Sequence, residues 1–198
     1  MKKNTISTPN NRRPFIKVCG LTYAGTVDCA ASYGADYVGF DFCPGSPRYV
    51  SPAHVAGMHS ANMKRVGVFN GGDAAGICRT MQQAGLHLAQ LQGLCTVEDA
   101  RTIGPQRVIR ALHPGQGMTA GQLQAELDRW APFCRAFLVE SDDADLLSGV
   151  DFPRPWILSA RMDACALQHV LLTCHPDGID VESRVGCAET MAAMRAVS

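Results

Sequence analysis

Polar residues stand at the ends of short apolar runs throughout this 198-residue sequence, where a packed core would have none. In chain order they are Cys19-Gly20, Asp41-Phe42, Asn70-Gly71, Gln92-Gly93, Arg110, Glu140-Ser141, Ser159 to Arg161 and Glu182 to Arg184. They amount to a thiol, several carboxyls, two side-chain amides and a set of guanidinium groups. A thiol can take a proton when neighbouring cations draw its pKa toward neutrality. A planar guanidinium pairs with a carboxylate through two parallel bonds.

The elements that carry these groups alternate regularly. Apolar, β-rich runs cover 15–20, 37–42, 65–70, 88–93, 107–112, 136–141, 155–160 and 178–183. Several are apolar almost throughout, as strands buried on both faces of a parallel sheet must be. Helical segments lie between them. Residues 24–33 end at Gly34, a C-cap signal. Ser51-Pro52 reads as N-cap and N1, Asp73 opens 73–84, and Thr96 with Asp99 forms a capping-box pattern. Residues 119–130, 164–173 (capped by Asp163) and 187–196 complete the set. Strand–helix alternation predicts an α/β chain with a parallel sheet. Eight such units favour a (β/α)8 TIM barrel, with catalytic groups at the C-terminal strand ends. An open doubly wound sheet is the alternative if one or two strands are misassigned. Only 142–154 separate the sixth and seventh strands, so the barrel is expected to be shortened around its sixth helix, to a stub or a single turn. Residues 1–13 are polar and aperiodic, a loose tail before a single domain at 14–198.

Composition narrows the partners. With 46% hydrophobic and 18% charged residues, the chain is globular rather than disordered. Eighteen basic residues balance 18 acidic ones, so no global field steers it to nucleic acid or to an anionic membrane. No run is long enough to span a bilayer, and the apolar stretch of a signal peptide is missing. A cytoplasmic location is therefore expected. The nine cysteines are scattered, odd in number and never spaced CxxC, which makes a poor disulfide framework and a poor zinc site. No metal and no cofactor is expected.

The motifs resemble those of the phosphoribosylanthranilate isomerase family. Lys17-Val18-Cys19-Gly20-Leu21-Thr22 is similar to its KxCGxT first strand. Gly34-Ala35-Asp36-Tyr37-Val38-Gly39-Phe40 with Ser46-Pro47-Arg48-Tyr49-Val50 is similar to its GADxxGF…SPRxV segment. Val66-Gly67-Val68-Phe69, Gln90-Leu91-Gln92-Gly93 and Gly178-Ile179-Asp180-Val181-Glu182-Ser183 follow in family order. The resemblance covers 14–112 well and 155–186 patchily. It implies a metal-free Amadori rearrangement of a phosphorylated small-molecule substrate in tryptophan biosynthesis, by a monomer or homodimer. It implies Cys19 as general base and Glu140 as general acid, with Asp142 and Asp143 as substitutes if the register slips. It implies Arg48 on the anthranilate carboxylate. Arg110 and Gln92 are further candidates for substrate binding, and Ser159, Arg161, Asp180, Ser183 and Arg184 for the phosphate end.

The chain also departs from that family. Glu140 replaces an aspartate and is one methylene longer, and a displacement of about 1 Å can cost on the order of a hundredfold in rate. Gln92 stands where the family keeps a histidine. The glycine-rich loop after the sixth strand is missing. Ala160-Arg161 replaces a glycine pair and Arg184 replaces a glycine, although phosphate sites favour bare N–H groups. Either the new arginines grip phosphate directly, or they fill the pocket or pair with Asp180 and Glu182. The second case would make the chain a decayed or repurposed relative that binds a small acid without isomerising it, or acts on an unphosphorylated substrate.

Overall fold

The computed structural model of the chain describes residues 13–159 and 164–182, without the side chains of 164–166. Arg161, Ser183, Arg184, the Asp163 cap, residues 1–12 of the expected tail and the expected helix at 187–196 lie outside the described residues.

Eight strands close in sequence order into a parallel barrel: β1 (Phe15–Cys19), β2 (Tyr37–Asp41), β3 (Lys64–Phe69), β4 (Leu88–Leu91), β5 (Val108–Leu112), β6 (Ala136–Glu140), β7 (Trp156–Ser159) and β8 (Gly178–Glu182). Five register pairs join β8 back to β1, from Phe15 with Gly178 to Cys19 with Glu182. That pairing excludes the open sheet.

The described helices are α1 (Ala24–Ser32), α2 (Pro52–Ala56), α3 (Ala74–Gln83), α4 (Val97–Ile103), α5 (Ala120–Trp130), α6 (Ala144–Ser148) and α7 (Ala164–Cys174). Their starts follow the side-chain signals. Ser51 accepts from His54 N with Pro52 in the first turn, and Asp73 accepts from Gly76 N. Thr96 and Asp99 form the expected reciprocal box, and Thr119 with Gln122 forms another. At five residues, α6 is the expected stub; Asp143 caps it directly after a three-residue loop. Gly34 takes φ +78° just past α1, a conformation that costs other residues free energy. The chain then turns so that Asp36 accepts from Ile16 N at 2.8 Å and from both arms of the Arg13 guanidinium. The Gly34-Ala35-Asp36 motif therefore fastens the end of the barrel remote from the strand C-termini.

Alternation along each strand divides the core in two. Val66, Leu88, Ile109, Ala111, Ala136, Leu138 and Ile157 fill the barrel, with Phe15 and Tyr37 against them. The other face of each strand joins a larger layer under the helices, including Val38, Phe40, Leu91, Phe137, Leu158 and Trp130. Each fully buried large apolar side chain contributes roughly 1.5–3 kcal/mol. The same alternation decides which polar side chains look into the barrel and which look toward the helices.

Candidate active site

Continuing each inner row toward the strand C-termini gives the polar groups of the mouth. On β1, Lys17 and Cys19 follow Phe15. On β8, Asp180 and Glu182 follow Gly178. On β6, Glu140 follows Ala136 and Leu138, and on β7, Ser159 follows Ile157. The inner row of β4 runs Leu88, Gln90, and that of β5 runs Ile109, Ala111, then His113 just past the strand. The site is therefore a ring of side chains on separate strands, each fixed by the barrel's closure.

Cys19 lies deepest in the mouth and is partly exposed. A Cβ built on Gly39 would lie 2.8 Å from its sulfur, so β2 must carry glycine for the thiol to occupy this place. Lys17 is fully buried one step below and bonds Asp180 Oδ1 at 2.7 Å across the β1–β8 seam. It also hydrogen-bonds the Cys19 side chain. The sequence reading expected cations to draw the thiol toward neutrality. The structure corrects this: burial, the largest effect, pushes the Cys19 thiol above its usual value, and Lys17 and Arg48 only oppose it. Lys17 itself is held above its ordinary value. Burial acts against its charge, but Asp180 and Cys19 outweigh it.

Arg48 arrives from the loop between β2 and α2. Asp41, at the end of β2, accepts from Ser46 Oγ at 2.6 Å and from Cys43 N at 2.8 Å, and Ser46 Oγ accepts from Arg48 N at 3.2 Å. The loop so folded lays the guanidinium over Gly20, where a Cβ would come within 2.7 Å of Arg48 Nη1. Nη2 donates to Glu182 Oε1 at 3.2 Å. Arg48 Nε is buried without a partner among the described residues, and the side chain is about a quarter exposed. This cation at the lip, beside the thiol, is suited to a planar anion.

Glu140 sits across the mouth from Cys19, with β7 and β8 between their strands on the shorter way round. Its Oε2 lies 3.1 Å from His113 Nε2, and both side chains are nearly half exposed. Asp143 is spent on capping α6 through Leu146 N at 2.9 Å, and Asp142 is exposed on the loop. Neither replaces Glu140 in the inner row.

The remaining sequence candidates divide. Ser159 is buried in the inner row of β7, next to Glu140 in register. Gln92 follows β4 at the mouth, half-buried. Asp180 is inside the barrel, but its carboxylate is engaged by Lys17. Arg110 does not reach the site. It belongs to the outer row of β5, where its guanidinium stacks over the Trp130 ring at 4.1 Å and Nη1 approaches Leu91 O at 3.4 Å. A position one residue to either side would have pointed inward. Sequence reasoning gave no role to Lys17, Gln90 or His113. Lys17 was detectable from its two-residue spacing to Cys19, which puts both on one face of a strand. Gln90 has the same spacing to Gln92, and its Oε1 is buried without a partner among the described residues. His113 needed the register between β5 and β6.

The described cysteines are free thiols, and no group of three or more His, Cys, Asp or Glu among the described residues could hold a metal.

Residues 16–134 match the family described as N-(5'phosphoribosyl)anthranilate (PRA) isomerase. A relative from Desulfovibrio desulfuricans, named N-(5'-phosphoribosyl)anthranilate isomerase, is 43% identical over 180 residues, covering 86% of this chain and 85% of its own length. One of the same name from Maridesulfovibrio salexigens is 31% identical over 180 residues, covering 86% of this chain and 88% of its own length. Among solved structures, the N-(5'-phosphoribosyl)anthranilate isomerase of Pyrococcus furiosus superposes with a TM-score of 0.81 at 17% identity, covering 93% of this chain and all of that one.

Proposed function

The chain belongs to the N-(5'-phosphoribosyl)anthranilate isomerase family, and from that premise we propose how its residues divide the work. The protein is an isomerase of tryptophan biosynthesis that turns the aminoaldose N-(5'-phosphoribosyl)anthranilate into the corresponding aminoketose. The reaction needs two proton handlers on different sides of one sugar. An acid protonates the furanose ring oxygen; the ring C–O bond breaks, and the nitrogen lone pair forms an iminium. A base then takes the C2′ proton, and the resulting enolamine tautomerises to the ketone. Binding one substrate between both groups supplies the positioning.

Glu140 is the acid and Cys19 the base. The observation that carries this reading is their position on facing walls of the mouth, in the inner rows of β6 and β1. Burial keeps the resting thiol protonated. The iminium formed in the first step brings a positive charge beside it, which favours the thiolate when it is needed. Arg48 receives the anthranilate carboxylate, supported by its place over Gly20. Ser159 serves the phosphate end, joined by Arg161, Ser183 and Arg184. Gln92 lines the rim, and Asp180 acts through Lys17. No described helix is long and apolar enough to cross a membrane; the proposed setting is the cytoplasm, the proposed assembly a monomer or homodimer, and the proposed organisation one domain from residue 14 onward. Neither the relatives nor the described part of the site favours a non-catalytic barrel.

The test is turnover of N-(5'-phosphoribosyl)anthranilate by the purified chain, with rescue of a tryptophan-requiring strain lacking this step. The Cys19→Ala protein serves as control. Turnover by the chain and its near-complete loss in the control are expected. A well-folded chain without turnover overturns the reading.

A further inference from the structure

The pairing of Leu112 with Val139 in the β5–β6 register carries one residue further to set His113 beside Glu140. Both side chains continue inner rows, and they meet at 3.1 Å between Nε2 and Oε2. Glu140 needs such a partner. It has one more torsion than an aspartate, it is 42% exposed, and the loop that follows it is only three residues long before α6. An unrestrained glutamate would spread its carboxyl over several rotamers, and ordering such a side chain costs conformational entropy.

From this geometry we propose that His113 is a positioning residue for the isomerisation, acting through Glu140; the inference rests on Glu140 being the acid. The imidazole Nε2–H donates to Glu140 Oε2 and pins the carboxyl at the mouth. Oε1, the oxygen His113 does not engage, carries the proton to the furanose ring oxygen. As that proton leaves, the ring C–O bond breaks with its electron pair going to oxygen, the nitrogen lone pair forms the iminium bond, and Glu140 is left a carboxylate. The same Nε2–H then stabilises the new negative charge, because a donor to an ionised oxygen is stronger than one to a neutral acid. His113 thus offsets the extra methylene of Glu140: the longer side chain becomes a second point of attachment on β5. The other ionisable groups near the pair are Asp142 and Asp143 on the loop after β6, with Asp143 committed to its helix cap.

The experiment compares the full chain with His113→Ala, His113→Gln, Glu140→Ala and the His113→Ala/Glu140→Ala double variant, measuring kcat and KM separately on N-(5'-phosphoribosyl)anthranilate. His113 is exposed, so every variant is expected to melt close to the parent. His113→Ala should lower kcat by about tenfold, the worth of one such hydrogen bond, and leave KM within about twofold. His113→Gln, which returns an N–H donor, should recover most of the loss. Removing His113 from the Glu140→Ala protein should change nothing further, because groups that act as a unit are not additive. A silent His113→Ala beside a crippled Glu140→Ala overturns this inference alone, as does additivity in the double variant or failure of glutamine to rescue. Full kcat in Glu140→Ala overturns the acid assignment and this inference with it.

Discussion

The ammonium of Lys17 lies 2.7 Å from the carboxylate of Asp180 inside the barrel, and neither side chain is more than 5% exposed. Two charges removed from water stabilise one another only while both remain. Replacing Lys17 with Met should therefore strand a buried carboxylate and cost about 3–5 kcal/mol, whereas Lys17→Met combined with Asp180→Asn should cost clearly less. Urea denaturation of the single and double variants measures both. The pair also fixes a pH dependence. The folded state holds Lys17 above its ordinary value of 10.5. A raised folded value means that the stabilisation is complete below the unfolded value and is lost as pH rises through the folded one. Stability should fall on the alkaline side of 10.5, and Lys17→Met should flatten that fall.

The Cys19 thiol gives the second prediction. Burial pushes it above the ordinary value of 9.0, and a general base must be unprotonated to act. In the free enzyme kcat/KM should therefore keep rising with pH through neutrality toward 9, without the plateau that an activated thiolate would give. Iodoacetamide should alkylate Cys19 slowly at neutral pH for the same reason. A profile already flat at pH 7 would contradict the direction of the shift.

Two glycines should separate the two halves of the site. A methyl on Gly39 meets the Cys19 sulfur, and a methyl on Gly20 meets the Arg48 guanidinium. Gly39→Ala should displace the base and lower kcat. Gly20→Ala should displace the carboxylate-binding arginine and raise KM; it also strains a backbone at φ +79°. Overpacking of this kind costs roughly 1–3 kcal/mol of stability as well. Steady-state kinetics beside melting curves distinguish the two effects.

Arg110 should behave as a core residue. It stacks on Trp130 behind the sheet, so Arg110→Ala loses that contact and the packing of its stem. A destabilisation of roughly 2 kcal/mol is expected, with kcat and KM within about twofold of the parent. A large change in KM would return it to the substrate site.

These cases divide by how local their cause is. The strand runs, the caps at Ser51, Asp73 and Thr96, the stub after Glu140 and the first-strand Cys19 were legible because each depends on neighbours a few residues away. Arg48 was legible through its motif, but its place over Gly20 depends on Asp41 holding Ser46. Arg110 was misread because a strand end is known from sequence only to within a residue, and one residue exchanges the barrel interior for the helix layer.

The sequence by itself determined the eight alternating units, the helix starts and the chemical types available at the strand ends, because hydrophobic period and capping are properties of short stretches of chain. Only the tertiary structure decided which of those groups meet. The Lys17–Asp180, Arg48–Glu182 and His113–Glu140 contacts join different strands and loops. Barrel closure and register bring those partners within bonding distance, and neither is written in any one segment.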